Sequence, residues 1–172
     1  VIMGPDRIFF LGMPGCGKSS IGRLVAHHLN LPFFDLDRLI EDETGTTISN
    51  IFSNQGESYF RKLESSQLQH FVLEHPEFLL ATGGGTPCFD NNISFMNQEG
   101  ITVFIDAPKE LLLERIKRKT HRPLLKNDPE EKLNELLKQR IPIYERAELQ
   151  FKRGEETKDQ FAIAVAESLR QC

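Results

Sequence analysis

Arg7-Ile-Phe-Phe-Leu11 runs without a break into Gly12-Met-Pro-Gly-Cys-Gly-Lys-Ser-Ser20, and Ile21, Leu24, Val25, His28 and Leu29 follow at helical spacing. A short apolar run bounded by glycine predicts a strand buried on both faces, as strands of parallel sheets are. The apolar period after it predicts a helix, and Asn30 marks its end. Between strand and helix stands G-x-x-x-x-G-K-S, the Walker A spelling, without a mismatch. Glycines let the backbone curl until successive N–H groups point at phosphate oxygens. The following helix adds its N-terminal partial positive charge. In such a loop Lys18 reaches the β- and γ-phosphates and the Ser19 hydroxyl ligates Mg²⁺. A glycine-rich turn with a chance Lys-Ser would not need a strand before it and a helix after it. Pro14, Gly15, Cys16, Gly17, Lys18, Ser19 and Ser20 are therefore the candidate ATP contacts. The Cys16 thiol near a helix N-terminus could be activated, but a small side chain simply tolerated there is the preferred reading, because the chemistry needs backbone N–H groups.

Working outward, Pro32 to Asp35, Phe78 to Thr82, Ile101 to Ile105 and Leu149 to Phe151 read as further short strands. Helices are predicted over Leu36 to Thr44, with Gly45 as a stop, and over Thr47 to Phe52 and Glu57 to Leu73 around an Asn54-Gln55-Gly56 turn. Others are predicted over Lys109 to Lys119, over Pro129 to Arg140 with a stop near Pro142, and over Asp159 to Leu169. Strands alternating with helices predict an α/β fold with a mostly parallel sheet. The polar stretch Lys117 to Pro129 reads as a mobile, functional loop.

Composition narrows the classes. The chain has 172 residues, which favours one domain spanning 1–172. With 39% hydrophobic and 27% charged residues it is neither disordered nor membrane-embedded by composition. No apolar run approaches the roughly 20 residues that span a bilayer, and no secretory leader is evident, so a cytoplasmic location is expected. A net charge of −4 offers no global field for nucleic acid, so any anion site has to be local. Cys16, Cys88 and Cys172 show no metal-ligand spacing, which fits a reducing compartment. No heptad seam is visible, and a monomer is expected.

Several side chains stand out where strands end. Asp35 and Asp37 share one face of an extended segment, at the end of a strand that would line the ligand crevice. One acid could hold a water of Mg²⁺ and the other could orient or deprotonate a substrate hydroxyl; a helix cap is the other use for Asp37. Gly83-Gly84-Gly85 allows close backbone approach to a ligand, or is a flexible turn. Arg61, Arg115, Arg122 and Arg140 suit carboxylate and phosphate contacts, although a single arginine is more often a solvated surface residue. Glu64, three residues after Arg61, could hold its guanidinium on one helix face.

Taken together and in order, Gly-Met-Pro-Gly-Cys-Gly-Lys-Ser-Ser, Phe-Phe-Asp-Leu-Asp, Gly-Glu-Ser-Tyr-Phe-Arg-Lys-Leu-Glu, Gly-Gly-Gly, His-Arg-Pro-Leu-Leu and Arg-Ile-Pro-Ile-Tyr resemble the shikimate kinase family. The similarity runs from about Ile8 to Phe151. It implies a three-layer P-loop fold like that of nucleoside monophosphate kinases, with a five-stranded parallel sheet, a substrate-binding subdomain at about 35–64 and a lid at about 115–126. It also implies transfer of the ATP γ-phosphoryl group to the 3-hydroxyl of shikimate, a step in aromatic amino-acid (chorismate) biosynthesis.

The same resemblance assigns roles. Asp37 would bind the shikimate hydroxyls and act as base. Arg61 and Arg140 would clamp the carboxylate, with Gly83, Gly84 and Gly85 in backbone contact. Asp35 would support the Mg²⁺ shell beside Ser19, taking the place of a separate Walker B acid, which is missing at Thr82. Arg122 would swing in on the lid to the transferring phosphate, and Arg115 would lie near the adenine. The loop Lys152-Arg153-Gly154-Glu155 carries no residue that the resemblance assigns. Three rivals remain: a gluconate kinase, which would not need both arginines and the triple glycine; a nucleotide-binding protein without turnover; and a nucleotide kinase, whose second site would discriminate a base.

Overall fold

The structure is a computed structural model and describes residues 5–119 and 128–172. Strand β1 (Arg7–Leu11) lies at the centre of a five-stranded sheet. Its Ile8, Phe9, Phe10 and Leu11 are wholly buried, which is why the run carries no polar alternation. Strands β2 (Phe33–Asp35), β3 (Phe78–Ala81), β4 (Ile101–Asp106) and β5 (Leu149–Lys152) complete it in the order β2-β3-β1-β4-β5. Every neighbouring pair is parallel, with Phe9 opposite Leu80 on one side and Thr102 on the other.

Among the described residues, seven α-helices connect and cover these strands: α1 (Lys18–Leu29), α2 (Leu36–Thr44), α3 (Ile48–Glu74), α4 (Asn92–Glu99), α5 (Lys109–Lys119), α6 (Pro129–Tyr144) and α7 (Lys158–Leu169). From β1 the chain crosses through α1 to the edge strand β2 and returns to β3; from β3 it crosses to the opposite side of β1. The connections therefore diverge at the carboxyl end of β1, the topological switch point where open α/β sheets bind ligands. None of the described helices is long and apolar enough to cross a membrane.

Helix boundaries follow local chemistry. Asn30 and Gly45 close α1 and α2 in the left-handed conformation. The expected turn inside 47–73 is a single non-helical residue, Gly56, at φ 83° and ψ 169°, and α3 resumes directly after it. Helix α6 does not stop at Arg140; it continues through Pro142 to Tyr144. Pro142 has no N–H to donate to the carbonyl one turn back, so the helix forgoes one hydrogen bond there. Tyr144 is wholly buried and anchors that last turn in the core. Helix α4 was not expected. Its buried apolar residues are Ile93 and Met96, too few to set a visible period.

Candidate active site

The loop after β1 is folded tightly enough that its glycines are structural requirements. Gly12 has φ 149°, and a Cβ there would lie 2.6 Å from the Ile105 carbonyl oxygen. Cys16 is wholly buried, its thiol turned inward beside Gly12, and its N–H donates to Met13 O at 3.1 Å. The preferred reading of Cys16 as a tolerated small side chain fits that placement. Lys18 bends back over its own loop: Nζ donates to Gly12 O at 2.8 Å and Met13 O at 3.0 Å. The ammonium is thereby held at the loop's rim. Ser20 Oγ donates to Gly17 O, and Arg115, from α5, donates to Gly15 O.

Two carboxylates meet this loop from the end of β2. Ser19 Oγ donates to Asp35 Oδ2 at 2.5 Å. Asp35 Oδ1 accepts from the N–H groups of Asp37 and Arg38, at 3.1 and 3.4 Å, and so caps α2. The capping job weighed for Asp37 thus belongs to Asp35. The Asp37 carboxyl faces the glycine run instead: a Cβ on Gly83 would lie 3.0 Å from Asp37 Oδ1 and 2.9 Å from Glu64 Oε1. Burial pushes the Asp37 pKa up to about 6, with the negative charges of Asp35, Glu64 and Glu41 adding to the rise and the Lys18 ammonium opposing it.

Beyond the glycines the arginines are held in place. Arg61 is 9% exposed, too little for a solvated surface residue. Its Nη1 donates to Glu64 Oε2 at 2.8 Å, and Glu57 Oε1 stands 3.3 Å from Nη2. The guanidinium lies over the Phe89 ring at 4.3 Å, with Phe60 and Phe52 further off. Glu64, 1% exposed, also accepts from Thr86 Oγ1 at 2.5 Å. A Cβ on Gly85 would lie 2.6 Å from the Arg61 Cζ, and one on Gly84 would lie 3.0 Å from the Arg140 Nη1. Burial raises the Cys88 thiol pKa while the charges of Arg140 and Arg61 oppose the rise, which places both cations around one corner. The Tyr144 hydroxyl donates to Gly84 O at 2.5 Å.

The phosphate loop, the two aspartates and the first glycines of the run border a cleft of about 600 Å³. Pro14, Gly15, Gly17, Lys18, Ser19 and Ser20 line one wall, and Asp35, Asp37, Gly83 and Gly84 line the other. Arg115 borders the mouth, joined by Arg23 and Arg118, which the sequence did not single out. Arg61, Gly85 and Arg140 stand beyond Gly84 and do not border this cavity. Arg122 lies outside the described residues. In the loop after β5, Arg153 folds inward with its guanidinium 5.0 Å from the Phe161 ring centre. Sequence reading gave no role to Thr86, or to Tyr144 at the end of the Arg-Ile-Pro-Ile-Tyr stretch, because their contacts with Glu64 and Gly84 exist only once the chain is folded.

A parallel sheet of order 2-3-1-4-5, with a Walker A loop on its central strand and acids on the next, defines a P-loop kinase. The comparisons narrow the class. The family model described as shikimate kinase matches residues 14–170. The shikimate kinase of Phocaeicola vulgatus is 41% identical over 171 residues, covering 96% of this chain and 97% of that one. The solved shikimate kinase from Acinetobacter baumannii, in complex with shikimate, superposes with a TM-score of 0.87 at 36% identity, over 96% of this chain and 93% of that one. That from Aquifex aeolicus gives 0.83 at 37% identity, over 95% of each. The chain belongs to the shikimate kinase family.

Proposed function

We propose that ATP binds in this cleft, that shikimate binds beside it between Asp37 and the Arg61, Gly85 and Arg140 corner beyond Gly84, and that the γ-phosphoryl group moves to the shikimate 3-hydroxyl. The observation that carries the reading is the position of Asp37, a carboxylate of raised pKa between the phosphate loop and the Glu64–Arg61 pair. With a pKa of about 6 it is ionised at neutral pH yet basic enough to take the hydroxyl proton as the oxygen attacks phosphorus. The bond from phosphorus to the bridging oxygen breaks, and ADP leaves with that electron pair. Phosphoryl transfer is mainly positioning and charge stabilisation. Lys18 spreads charge on the β- and γ-phosphates, and Arg122 does so from the lid over about 115–126. Arg115 keeps its place beside the nucleotide, near the adenine.

The residues present fit Mg²⁺. The Ser19 hydroxyl donates its hydrogen bond to Asp35, which leaves its lone pairs for a metal and sets a carboxylate in reach of a metal-bound water. Mg²⁺ prefers such hard oxygens, takes few from protein and completes its shell with water and phosphate. When bound it neutralises charge on the phosphates. Arg61 and Arg140 hold the shikimate carboxylate across Gly84 and Gly85, and 35–64 forms the substrate-binding part of a single domain. Lid closure excludes water, which otherwise competes as acceptor. A cytoplasmic monomer suits this reading.

Coupled ADP release with Mg-ATP, with and without shikimate, on the wild type and Asp37→Asn, tests it. Shikimate-dependent turnover lost in the variant is the expected result. Turnover with gluconate or a nucleotide but not shikimate would overturn the substrate, and an ATPase rate indifferent to shikimate would overturn the kinase reading.

A further inference from the structure

In the Gly83-Gly84-Gly85 run, Thr86 N–H donates to Gly83 O at 3.2 Å and Cys88 N–H donates to Gly85 O at 2.9 Å, which fixes the peptides on either side but not the one between Gly84 and Gly85, where glycine φ and ψ turn at little cost. One contact does fix the plane between Gly84 and Gly85: the buried Tyr144 hydroxyl donates to Gly84 O at 2.5 Å. In a trans peptide the carbonyl and the following N–H point in opposite directions. Holding Gly84 O against the phenol therefore aims the Gly85 N–H away from it. No hydrogen bond within the described residues uses that N–H, so it is available to a ligand oxygen. Arg140 precedes Tyr144 by four residues on α6, hence on the same face, and its Nη1 meets the same glycine. On its other side the phenol lies 3.8 Å from the Met13 sulfur in the phosphate loop, and its ring packs 5.2 Å from that of Phe104.

We propose that Tyr144 is a positioning residue for shikimate binding: its hydroxyl locks the Gly84–Gly85 peptide so that the Gly85 N–H and the Arg140 guanidinium present together to the substrate. This rests on the reading of the glycine run as a substrate contact. The hydroxyl touches no reacting atom, so its loss acts on shikimate affinity. Freed of the phenol, the peptide samples orientations in which its N–H no longer meets the substrate, while the phosphate loop keeps its own hydrogen bonds.

Tyr144→Phe removes the oxygen and keeps the ring against Phe104. Steady-state kinetics with each substrate varied should show the shikimate KM up by about tenfold, the loss of one buried hydrogen bond, with the ATP KM and kcat within about threefold of wild type. Val165→Ala, in α7, calibrates plain destabilisation: it should lower Tm and leave both KM values alone. Gly85→Ala, which drives a methyl into Arg61, tests the underlying reading. Unchanged shikimate KM in Tyr144→Phe alongside a raised one in Gly85→Ala overturns the role of Tyr144 alone. Equal rises in both KM values of Tyr144→Phe also overturn it, since that is loss of packing. Unchanged KM in Gly85→Ala overturns the glycine platform and the proposal with it.

Discussion

Ser19 Oγ and Asp35 Oδ2 lie 2.5 Å apart, and the same Asp35 carboxylate caps helix α2 through its other oxygen. One side chain thus joins the Ser19 hydroxyl to the helix that carries Asp37. Substitution separates the two jobs. Asparagine caps helices about as well as aspartate, whereas alanine loses roughly 1 kcal/mol. Asp35→Asn should keep its Tm near wild type yet need more Mg²⁺ for half-maximal turnover. Asp35→Ala should lose both Tm and turnover. A Mg²⁺ titration of Asp35→Asn that overlays wild type would remove Asp35 from the metal shell.

Asp37 has a folded pKa of about 6 against an ordinary 3.8. Between those values the folded protein holds more protons than the unfolded chain, so stability contributed here falls as pH rises through that window. Above it, the buried charge is a net cost. Asp37→Asn should therefore be more stable than wild type at neutral pH, by about 1–3 kcal/mol, while kcat drops roughly 10²- to 10⁴-fold. Thermal melts at neutral pH beside initial rates check both signs. In the wild type, kcat/KM should fall on the acid side with an apparent pKa near 6. An inactive variant that is also less stable would mark Asp37 as structural.

Glu64 ties Arg61 to Thr86 and raises the Asp37 pKa through its charge. Glu64→Gln removes that charge and keeps an acceptor for Thr86. Asp37 then loses one of the groups that push it up, while Asp35, Glu41 and Lys18 still act on it. The acid limb of kcat/KM should move to lower pH, and the shikimate KM should rise as Arg61 keeps only Glu57. A limb that stays put would mean that Glu64 does not act on Asp37 electrostatically.

Strand β1 and its loop were legible because both carry redundant signals: an apolar run, glycines at fixed spacing and a periodic helix. Leu36–Thr44 and Lys109–Lys119 likewise emerged with the boundaries their caps and periods suggested. Helix α4 was not legible, since two buried apolar residues cannot set a period, and α6 overran Pro142 because tertiary burial of Tyr144 outweighs one missing donor. Asp35, Asp37, Arg61 and Arg140 could be picked out from residue type and motif order, and the fold brings the first two to the cleft and the last two to the corner beyond Gly84. That Asp35 does the capping could not, because it depends on which carboxylate the folded β2 turns toward Ser19. The Tyr144 contact with Gly84 spans sixty residues of chain and leaves no local trace.

Arg61 is the remaining test of how the substrate carboxylate is held. Its guanidinium is gripped by Glu64 and Glu57 and sits over the Phe89 ring, 4.3 Å from its centre, an arrangement that a planar fork satisfies and a point charge does not. Arg61→Lys keeps a cation beside Glu64, so the buried carboxylate retains a partner and Tm should fall by no more than about 1–2 kcal/mol in equivalent stability. It cannot offer two parallel N–H groups to the shikimate carboxylate, a charge-assisted pair worth roughly 1.5–3 kcal/mol. The shikimate KM should therefore rise about 10- to 100-fold, with the ATP KM unchanged. If Arg61→Lys binds shikimate as the wild type does, the guanidinium serves the fold through Glu64, and the carboxylate is held by Arg140 and the glycine backbone alone.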